Sequence, residues 1–245
     1  MRYHYFLAPV VAFVCSGPIV AEGASHHWSY VGDNGPSHWA ATCNAGQAQS
    51  PIDIKTSKAQ RKKLPALKFD YRPGPLMIID NGHSVQVNIP NGSTMSVGAD
   101  RFRLVQFHFH KPSEEMIDGR RFDMVVHLVH RDGAGRLAVV AVPLSAGAEN
   151  PFIATLWRHL PTEKGREVSP AGVMTDPTGL LPANRAYFTY VGSLTTPPCS
   201  QGVRWFVMRS PASISAVQIS AFGKHYRANA RPIQPLNGRQ VLASE

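Results

Sequence analysis

The sequence has few cysteines, few acidic residues and no hydrophobic run long enough to cross a membrane. It contains 3 cysteines, and its 25 lysines and arginines outnumber 16 aspartates and glutamates, which gives a formal net charge of +9. The basic residues are scattered, and the densest cluster, Arg61-Lys62-Lys63, has no interleaved aromatics, so we expect a solvated face and no nucleic-acid partner. The absence of a His-Glu-x-x-His motif argues against the zinc hydrolases that carry one on a helix.

The first residues are typical of a secretory signal peptide. Arg2 precedes an apolar run over residues 6–15, and small residues that suit cleavage follow near position 23. The run is too short, and too interrupted by proline, to span a bilayer. No repeat or linker divides the rest of the chain. We therefore expect a signal peptide at 1–23, one domain at 24–245, and a periplasmic or secreted protein without membrane insertion.

Cleavage of that signal peptide would remove Cys15 and leave Cys43 and Cys199 as an even pair. In an oxidising compartment such a pair predicts a disulfide, whereas the alternative is two free buried thiols. Because the bridge would close a long loop, the lost entropy of the unfolded chain predicts a stabilisation of about 5 kcal/mol.

Strand patterns dominate the sequence, and its 20 glycines and 20 prolines favour turns over long helices. Alternating or continuous apolar residues predict strands at 84–89, 104–110, 124–130, 137–142 and 203–208. The helical candidates are few and short, at 152–159 and 213–222. The fold class is therefore mostly β (α+β), a single domain with one large central sheet and a few short peripheral helices.

Histidines cluster on two of the predicted strands. His108 and His110 lie two residues apart, so both imidazoles project from the same face. His127 and His130 lie three apart and face opposite sides of their strand, so only one of them can join the pair. Three imidazoles with one open position are typical of a catalytic zinc site. The alternative is that these histidines are hydrogen-bonded core residues.

Eight segments, in order along the mature region, resemble the α class of carbonic anhydrases, and the cysteine positions resemble its bacterial members. The segments are SHHWSY at 25–30, QSPIDI at 49–54, NGHS at 81–84, QFHFH at 106–110, PSE at 112–114, HLVH at 127–130, GSLTTPP at 192–198 and NARPIQPL at 229–236. The resemblance implies a large twisted mixed sheet and Zn²⁺ on His108, His110 and His127. Zinc lowers the pKa of a bound water toward about 7, and the resulting hydroxide attacks carbon dioxide to give bicarbonate.

The resemblance also assigns roles around the metal. Thr195 accepts the proton of the hydroxide and donates its own to Glu114, which orients the nucleophile. His83 is the proton shuttle, and Tyr30, Asn81 and Gln86 order the connecting waters. His26 and His27 are accessory shuttle candidates. The residues expected to face the substrate are Thr196, Leu194, Val129, Val139, Val203 and Trp205.

The hydrogen-bond partners of the zinc ligands depart from the family pattern. Gln106 is expected to accept a hydrogen bond from the His108 ring, and the carbonyl of Asn229 to accept one from the His110 ring. Most members place a glutamate two residues before the third ligand, where this chain has Val125. Glu115 stands where a histidine is usual. We therefore hypothesise that Glu115 reaches across to His127 and replaces the missing acid.

Two function classes follow from the resemblance. The first is an active carbonic anhydrase that binds carbon dioxide and bicarbonate, is inhibited by sulfonamides and anions, and forms a monomer or homodimer. The second is a non-catalytic binding protein on the same fold. Because such relatives typically lose a zinc ligand, and all three histidines are present here, the sequence favours the enzyme.

Overall fold

The computed structural model describes residues 28–39, 41–90 and 92–245. The predicted signal peptide at 1–23 lies outside the described residues, and so do His26 and His27. Within the described part of the chain, no helix is long and apolar enough to cross a membrane.

Short strands make up most of the described chain. They are β1 Asp53–Ile54, β2 Gln60–Lys62, β3 Leu67–Asp70, β4 Gly74–Pro75, β5 Ile78–Asp80, β6 Val85–Asn88, β7 Thr94–Val97, β8 Asp100–His110, β9 Met116–Ile117, β10 Arg120–Arg121, β11 Met124–Arg131, β12 Leu137–Ala146, β13 Glu167–Val168, β14 Met174–Thr175, β15 Tyr187–Ser193, β16 Gln201–Met208, β17 Ala212–Ile214 and β18 Leu242–Ser244. The helices are α1 Ala41–Ala45, α2 Pro151–Trp157 and α3 Ala216–His225, with single 3-10 turns at Gly32–Asn34, Pro36–His38 and Pro177–Leu180.

Thirteen of these strands form one sheet. Its main path runs β13-β5-β6-β8-β11-β12-β16-β15-β18-β2, while β17, β3 and β7 attach beside it. The sheet is mixed, because β12 runs parallel to β16 and β17, and β18 runs parallel to β2, whereas the other pairs are antiparallel. The predicted fold class, mostly β around one large mixed sheet, is therefore confirmed.

All five strands expected from the hydrophobic pattern are present, as β6, β8, β11, β12 and β16. The continuous apolar run lies in β12, which is buried along most of its length between β11 and β16. Strand β8 begins at Asp100, earlier than expected, because its first residues pair with β7. A register shift between Val129 and His130 interrupts the pairing of β11 with β8.

Both predicted helices exist with shifted ends. Helix α2 ends at Trp157, two residues before its expected end, with Arg158 as its C-cap. Helix α3 starts at Ala216 because Ser213 already pairs within the sheet. A capping box between Ser215 and Gln218 fixes that start.

The sheet carries apolar side chains on both faces. A large cluster includes Phe107, Phe109 and Phe206. A smaller cluster on the other face includes Val125 and Trp205. The two clusters sandwich the central strands, and the smaller one forms the floor of the site described next.

Cys43 and Cys199 form a disulfide across a sequence separation of 156 residues. Both are buried against Trp39, with Trp28 and Tyr30 packed alongside. The predicted bridge is therefore confirmed. It joins the segment after the first 3-10 turns to the loop that follows β15.

Candidate active site

Three histidines from two neighbouring strands meet on one face of the sheet. His127 of β11 lies opposite His108 of β8 in the register, and His110 is two residues further along β8. One ring nitrogen of each lies within 4.8 Å of the others. His110 and His127 are buried, and His108 is half-buried. A metal held here would be shielded from solvent on most sides.

The outer nitrogens of the first two histidines have hydrogen-bond acceptors. His108 Nδ1 donates to Gln106 Oε1 at 2.8 Å, and His110 Nδ1 donates to the carbonyl of Asn229 at 2.7 Å. These bonds fix the tautomer that leaves each Nε2 as an acceptor. His110 Nε2 is buried without a hydrogen-bond partner among the described residues. A bound cation would satisfy that orphaned lone pair.

The side chains of His108 and His110 are also held in the neutral form that metals bind. Burial, and then the nearby His127, lower the pKa of His108 to about 3. The same causes, in the same order, lower the pKa of His110 well below its usual value. Neutral imidazoles clustered with free ring nitrogens are the donor set that a catalytic Zn²⁺ takes.

The third histidine contacts the acid singled out in the sequence. His127 Nε2 lies 3.2 Å from Glu115 Oε2, and both side chains are buried. Burial lowers the pKa of His127, but the charge and hydrogen bond of Glu115, together with the charge of Glu114, outweigh it, so the net shift is upward. Val125 lies in the smaller apolar cluster. The contact that the compensation hypothesis requires is therefore present, and it leaves His127 Nδ1 to face the other two ligands.

Glu114 lies beside the three histidines and is fully buried. Its Oε1 accepts a hydrogen bond from the backbone N–H of Arg231 at 2.7 Å. Its Oε2 lies 3.6 Å from His110 Nε2 and 3.8 Å from His127 Nδ1, without a hydrogen-bond partner among the described residues. Burial raises the pKa of Glu114 to about 7. The buried Thr195 lies near enough for its hydroxyl to lower that pKa in part.

Arg231 was not predicted to belong to the site, although it lies in one of the quoted motifs. Its guanidinium is buried and donates to Gln49 Oε1 at 2.8 Å, to the Ser50 carbonyl at 2.7 Å and to the Cys43 carbonyl at 2.6 Å. Arg231 therefore ties the disulfide segment to Glu114. An arginine in a loop gives no sequence signal of such burial, because arginines in loops are mostly exposed.

The apolar residues expected to face the substrate lie beside the histidines. Val139, Val203 and Trp205 are buried in the smaller cluster, and the partly buried Val129 and Leu194 pack against it. The Trp205 ring centroid lies 5.0 Å from that of His127. Thr196 is half-buried in the adjoining loop, where its carbonyl accepts from the Cys199 N–H at 2.8 Å.

The predicted proton path begins at the turn between β5 and β6. The half-buried His83 stacks on Trp28, with ring centroids 3.6 Å apart and planes 9° apart. Asn81 Oδ1 accepts from the His83 N–H at 2.9 Å, and Asn81 Nδ2 donates to Gln86 Oε1 at 3.2 Å. The hydroxyl of Tyr30 is buried, with no hydrogen-bond partner among the described residues.

His83, Trp28 and Tyr30 line one open cleft of ≈ 640 Å³. Lys164, His225 and Arg227 also border that cleft.

Three clustered imidazoles on a large mixed sheet, beside a buried acid and an apolar wall, define the site of a zinc metalloenzyme. Residues 34–245 match the sequence model of the eukaryotic-type carbonic anhydrases. A carbonic anhydrase of Nostoc sp. is 41% identical over 231 residues, covering 91% of this chain and 88% of that protein. The chain belongs to the carbonic anhydrase family, and it is a zinc enzyme of carbon dioxide hydration.

Solved structures agree with that membership. The α-carbonic anhydrase of Thermovibrio ammonificans in complex with sulfanilamide is 40% identical, with a TM-score of 0.84 and coverage of 88% of this chain and 98% of that one. Dioscorin in complex with ascorbate is 31% identical, with a TM-score of 0.83 and coverage of 89% and 97%. The fold therefore also occurs in a protein of another name, and fold alone does not determine function.

Proposed function

We propose that His108 Nε2, His110 Nε2 and His127 Nδ1 hold the zinc ion. The observation that carries this assignment is the convergence of these ring nitrogens within 4.8 Å while each opposite nitrogen contacts a protein oxygen. At this site these residues would hold zinc, which would supply the Lewis acidity that makes hydroxide available near neutral pH.

Glu114 and Thr195 would orient the attacking hydroxide. Because Glu114 Oε1 already accepts from Arg231, the other oxygen is left to accept from the Thr195 hydroxyl. Once ionised, Glu114 can only accept, so Thr195 would donate its proton to Glu114 and would accept a hydrogen bond from the attacking group. These fixed hydrogen-bond directions would orient the attacking oxygen toward the carbon of the substrate.

The apolar wall would bind carbon dioxide. Carbon dioxide has no net dipole and cannot donate a hydrogen bond, so an apolar surface beside the nucleophile suits it better than a polar one. Val139, Val203 and Trp205 exclude water from that surface, and Leu194 leads to Thr195 and Thr196 at its edge. The same wall would receive the body of an aromatic sulfonamide, and other anions would compete at the metal.

His83 would export the proton that each turnover releases. An ordinary histidine changes charge near neutral pH, so it can take a proton from an internal water and pass it to buffer. Its place on the open cleft, with Tyr30, Asn81 and Gln86 nearby, supports this role.

We also propose that residues 1–23 are a signal peptide and that the domain at 24–245 acts in the periplasm or outside the cell. The Cys43–Cys199 disulfide supports that location, because such bridges persist in oxidising compartments.

A stopped-flow assay of carbon dioxide hydration tests the proposal. The purified zinc protein should hydrate carbon dioxide, and a zinc-binding sulfonamide should abolish the activity. His110→Ala should lose both zinc, measured by elemental analysis, and hydration. His130→Gln, a matched change at a buried histidine outside the cluster, should keep both. Zinc-loaded wild-type protein without hydration activity would overturn the assignment and favour the non-catalytic binding protein.

A further inference from the structure

A buried carboxylate lies beneath the turn that carries His83. Asp80 ends strand β5 and is only 3% exposed. Its Oδ1 accepts from the Gly82 N–H at 2.9 Å and also from the hydroxyl of Tyr226. Its backbone carbonyl accepts from the Gly165 N–H at 2.7 Å. One residue therefore joins the turn to two other parts of the chain.

Tyr226 is held in place by helix α3. It directly follows the helix, and its N–H donates to the Phe222 carbonyl at 2.9 Å. Its ring lies 5.7 Å from that of Phe222, which is fully buried. Burial, and then the bond to Asp80, raise the pKa of Tyr226 well above its usual value, so its hydroxyl remains a donor. His225 Nδ1, 4.0 Å from Asp80 Oδ2, lies on the other side of the carboxylate.

Hydrogen bonds hold the turn in shape. Asn81 Oδ1 accepts from the N–H groups of His83 and Ser84, at 2.9 and 2.8 Å, and Asn229 Nδ2 donates to the His83 carbonyl at 3.0 Å. Gly82 has φ 87°, a left-handed conformation that glycine both enters and leaves readily. A Cβ at that position would meet nothing within 4 Å, so no close contact at Gly82 restrains its backbone. Its conformation depends on hydrogen bonds, and Asp80 receives the one from the Gly82 N–H.

We propose that Asp80 and Tyr226 are positioning residues for His83. They fix the turn 80–84 to the end of α3, so that the His83 ring stays stacked on Trp28 at the cleft. Neither side chain is assigned contact with substrate or metal. The inference rests on the proposed shuttle role of His83.

Kinetics separate this role from a merely structural one. The proton leaves after bicarbonate has formed, so its export affects kcat, whereas kcat/KM reports the steps up to product formation. The variants are Tyr226→Phe, which removes one hydroxyl and keeps the ring, and His83→Ala. Tyr187→Phe is the matched control, because it removes a hydroxyl that bonds the Pro65 carbonyl at 2.8 Å. All are assayed as zinc-loaded full-length protein in weak buffer, with and without added imidazole.

We expect Tyr226→Phe to lower kcat by about 5-fold, the factor that corresponds to one lost hydrogen bond. Its kcat/KM should stay within about 2-fold of the wild-type value, and imidazole should restore kcat by carrying the proton directly. His83→Ala should show the same pattern, and the double variant should lose no more than His83→Ala alone. Tyr187→Phe should match the wild type in both constants.

The proposal is overturned if Tyr226→Phe keeps the wild-type kcat while His83→Ala loses it. It is also overturned if Tyr226→Phe lowers kcat/KM as much as kcat, or if imidazole fails to restore its turnover. An unchanged kcat in His83→Ala would contradict the shuttle role of His83. The positioning role of Asp80 and Tyr226, which depends on it, would then also be overturned. Failure of the underlying function and failure of this inference are therefore distinguishable.

Discussion

Two histidines three positions apart on β11 have opposite environments. His127 faces the metal-binding cluster and contacts Glu115 at 3.2 Å. His130 is buried on the other side of the strand, where its Nε2 lies 2.7 Å from the Tyr71 hydroxyl. Strand geometry alone predicts this separation, because side chains three apart alternate in direction. It also makes His130 a core residue whose protonation is coupled to folding.

His130 is expected to make the protein sensitive to acid. Burial lowers the pKa of His130 to about 4, whereas an unfolded chain binds that proton near pH 6.5. The unfolded state therefore binds more protons between these values, and the free energy of unfolding rises with pH from about 4 to about 6.5, by about 3 kcal/mol. In urea titrations of metal-free protein, His130→Gln should lose this part of the pH dependence.

Tyr71→Phe serves as the control for His130→Gln, because it removes the partner hydroxyl but keeps the titrating imidazole. It should retain a steep dependence on pH. Equal slopes in the wild type and His130→Gln would mean that His130 takes up its proton in the folded protein, contrary to expectation.

Glu115 is expected to determine zinc affinity. Removal of an acceptor that orients a metal-ligating histidine typically weakens binding by about 10- to 100-fold, so Glu115→Ala should show a loss of that size in competition with a chromophoric chelator. The exposed Glu149 offers a control, Glu149→Ala, which should bind zinc as the wild type does. Adding Val125→Glu to Glu115→Ala should recover affinity, because position 125 shares the face of His127. Wild-type zinc affinity in Glu115→Ala would refute the hypothesis that Glu115 replaces the acid missing at position 125.

The sequence predicts those site residues that lie close together along the chain. Gln106, His108 and His110 occupy every second position of one strand, and the quoted motifs include Glu114 and Thr195. Arg231 and Asp80 were not predicted, because their importance comes from burial against distant segments. Arg231 contacts the Cys43 carbonyl, 188 positions away, and Asp80 contacts Tyr226, 146 positions away. No local pattern encodes such contacts.

At the scale of elements, helices α2 and α3 are joined by hydrogen bonds that converge on Gln218. Gln218 Oε1 accepts from the N–H groups of Ser215 and Asn150, both at 3.0 Å, and its Nε2 donates to the Asn150 carbonyl at 2.8 Å. Asn150 and Ser215 are the N-caps of the two helices. This connection explains why α3 starts later than the sequence predicts: the start is set by the cap and by the pairing of β17, not by hydrophobic periodicity.

Gln218→Ala should therefore destabilise both helix starts at once. The N–H groups of Asn150 and Ser215 would lose their acceptor, at about 1–3 kcal/mol each, so we expect the free energy of unfolding to fall by about 2–6 kcal/mol. Ser215→Ala, which removes one cap, should cost about 1 kcal/mol. The neighbouring Val217 is 79% exposed, and Val217→Ala should change stability by less than about 0.5 kcal/mol. Urea unfolding of the three variants gives the comparison, and equal costs for Gln218→Ala and Val217→Ala would contradict the shared connection.

At the scale of the whole molecule, the class of fold followed from sequence pattern, but the order of strands did not. Alternation predicted β8, β11 and β16, and the apolar run predicted the central β12. The short edge strands β2 and β13 carry no such pattern, since β2 is exposed throughout and its pairing with β18 joins distant residues. Long-range pairing in a sheet of this kind depends on packing that no local window contains.

The Cys43–Cys199 disulfide spans most of that long-range topology. By closing a loop of 156 residues, it removes unfolded-state entropy worth about 5 kcal/mol. The double variant Cys43→Ala/Cys199→Ala should lose stability of that order in urea titrations. Dithiothreitol should lower the stability of the wild type by a similar amount and leave the double variant unchanged. Since the Cys43 carbonyl accepts from Arg231, whose N–H holds Glu114, activity in the folded variant should fall as well. A double variant with wild-type stability would show that Arg231 and the apolar packing around Trp39 hold this region without the bridge.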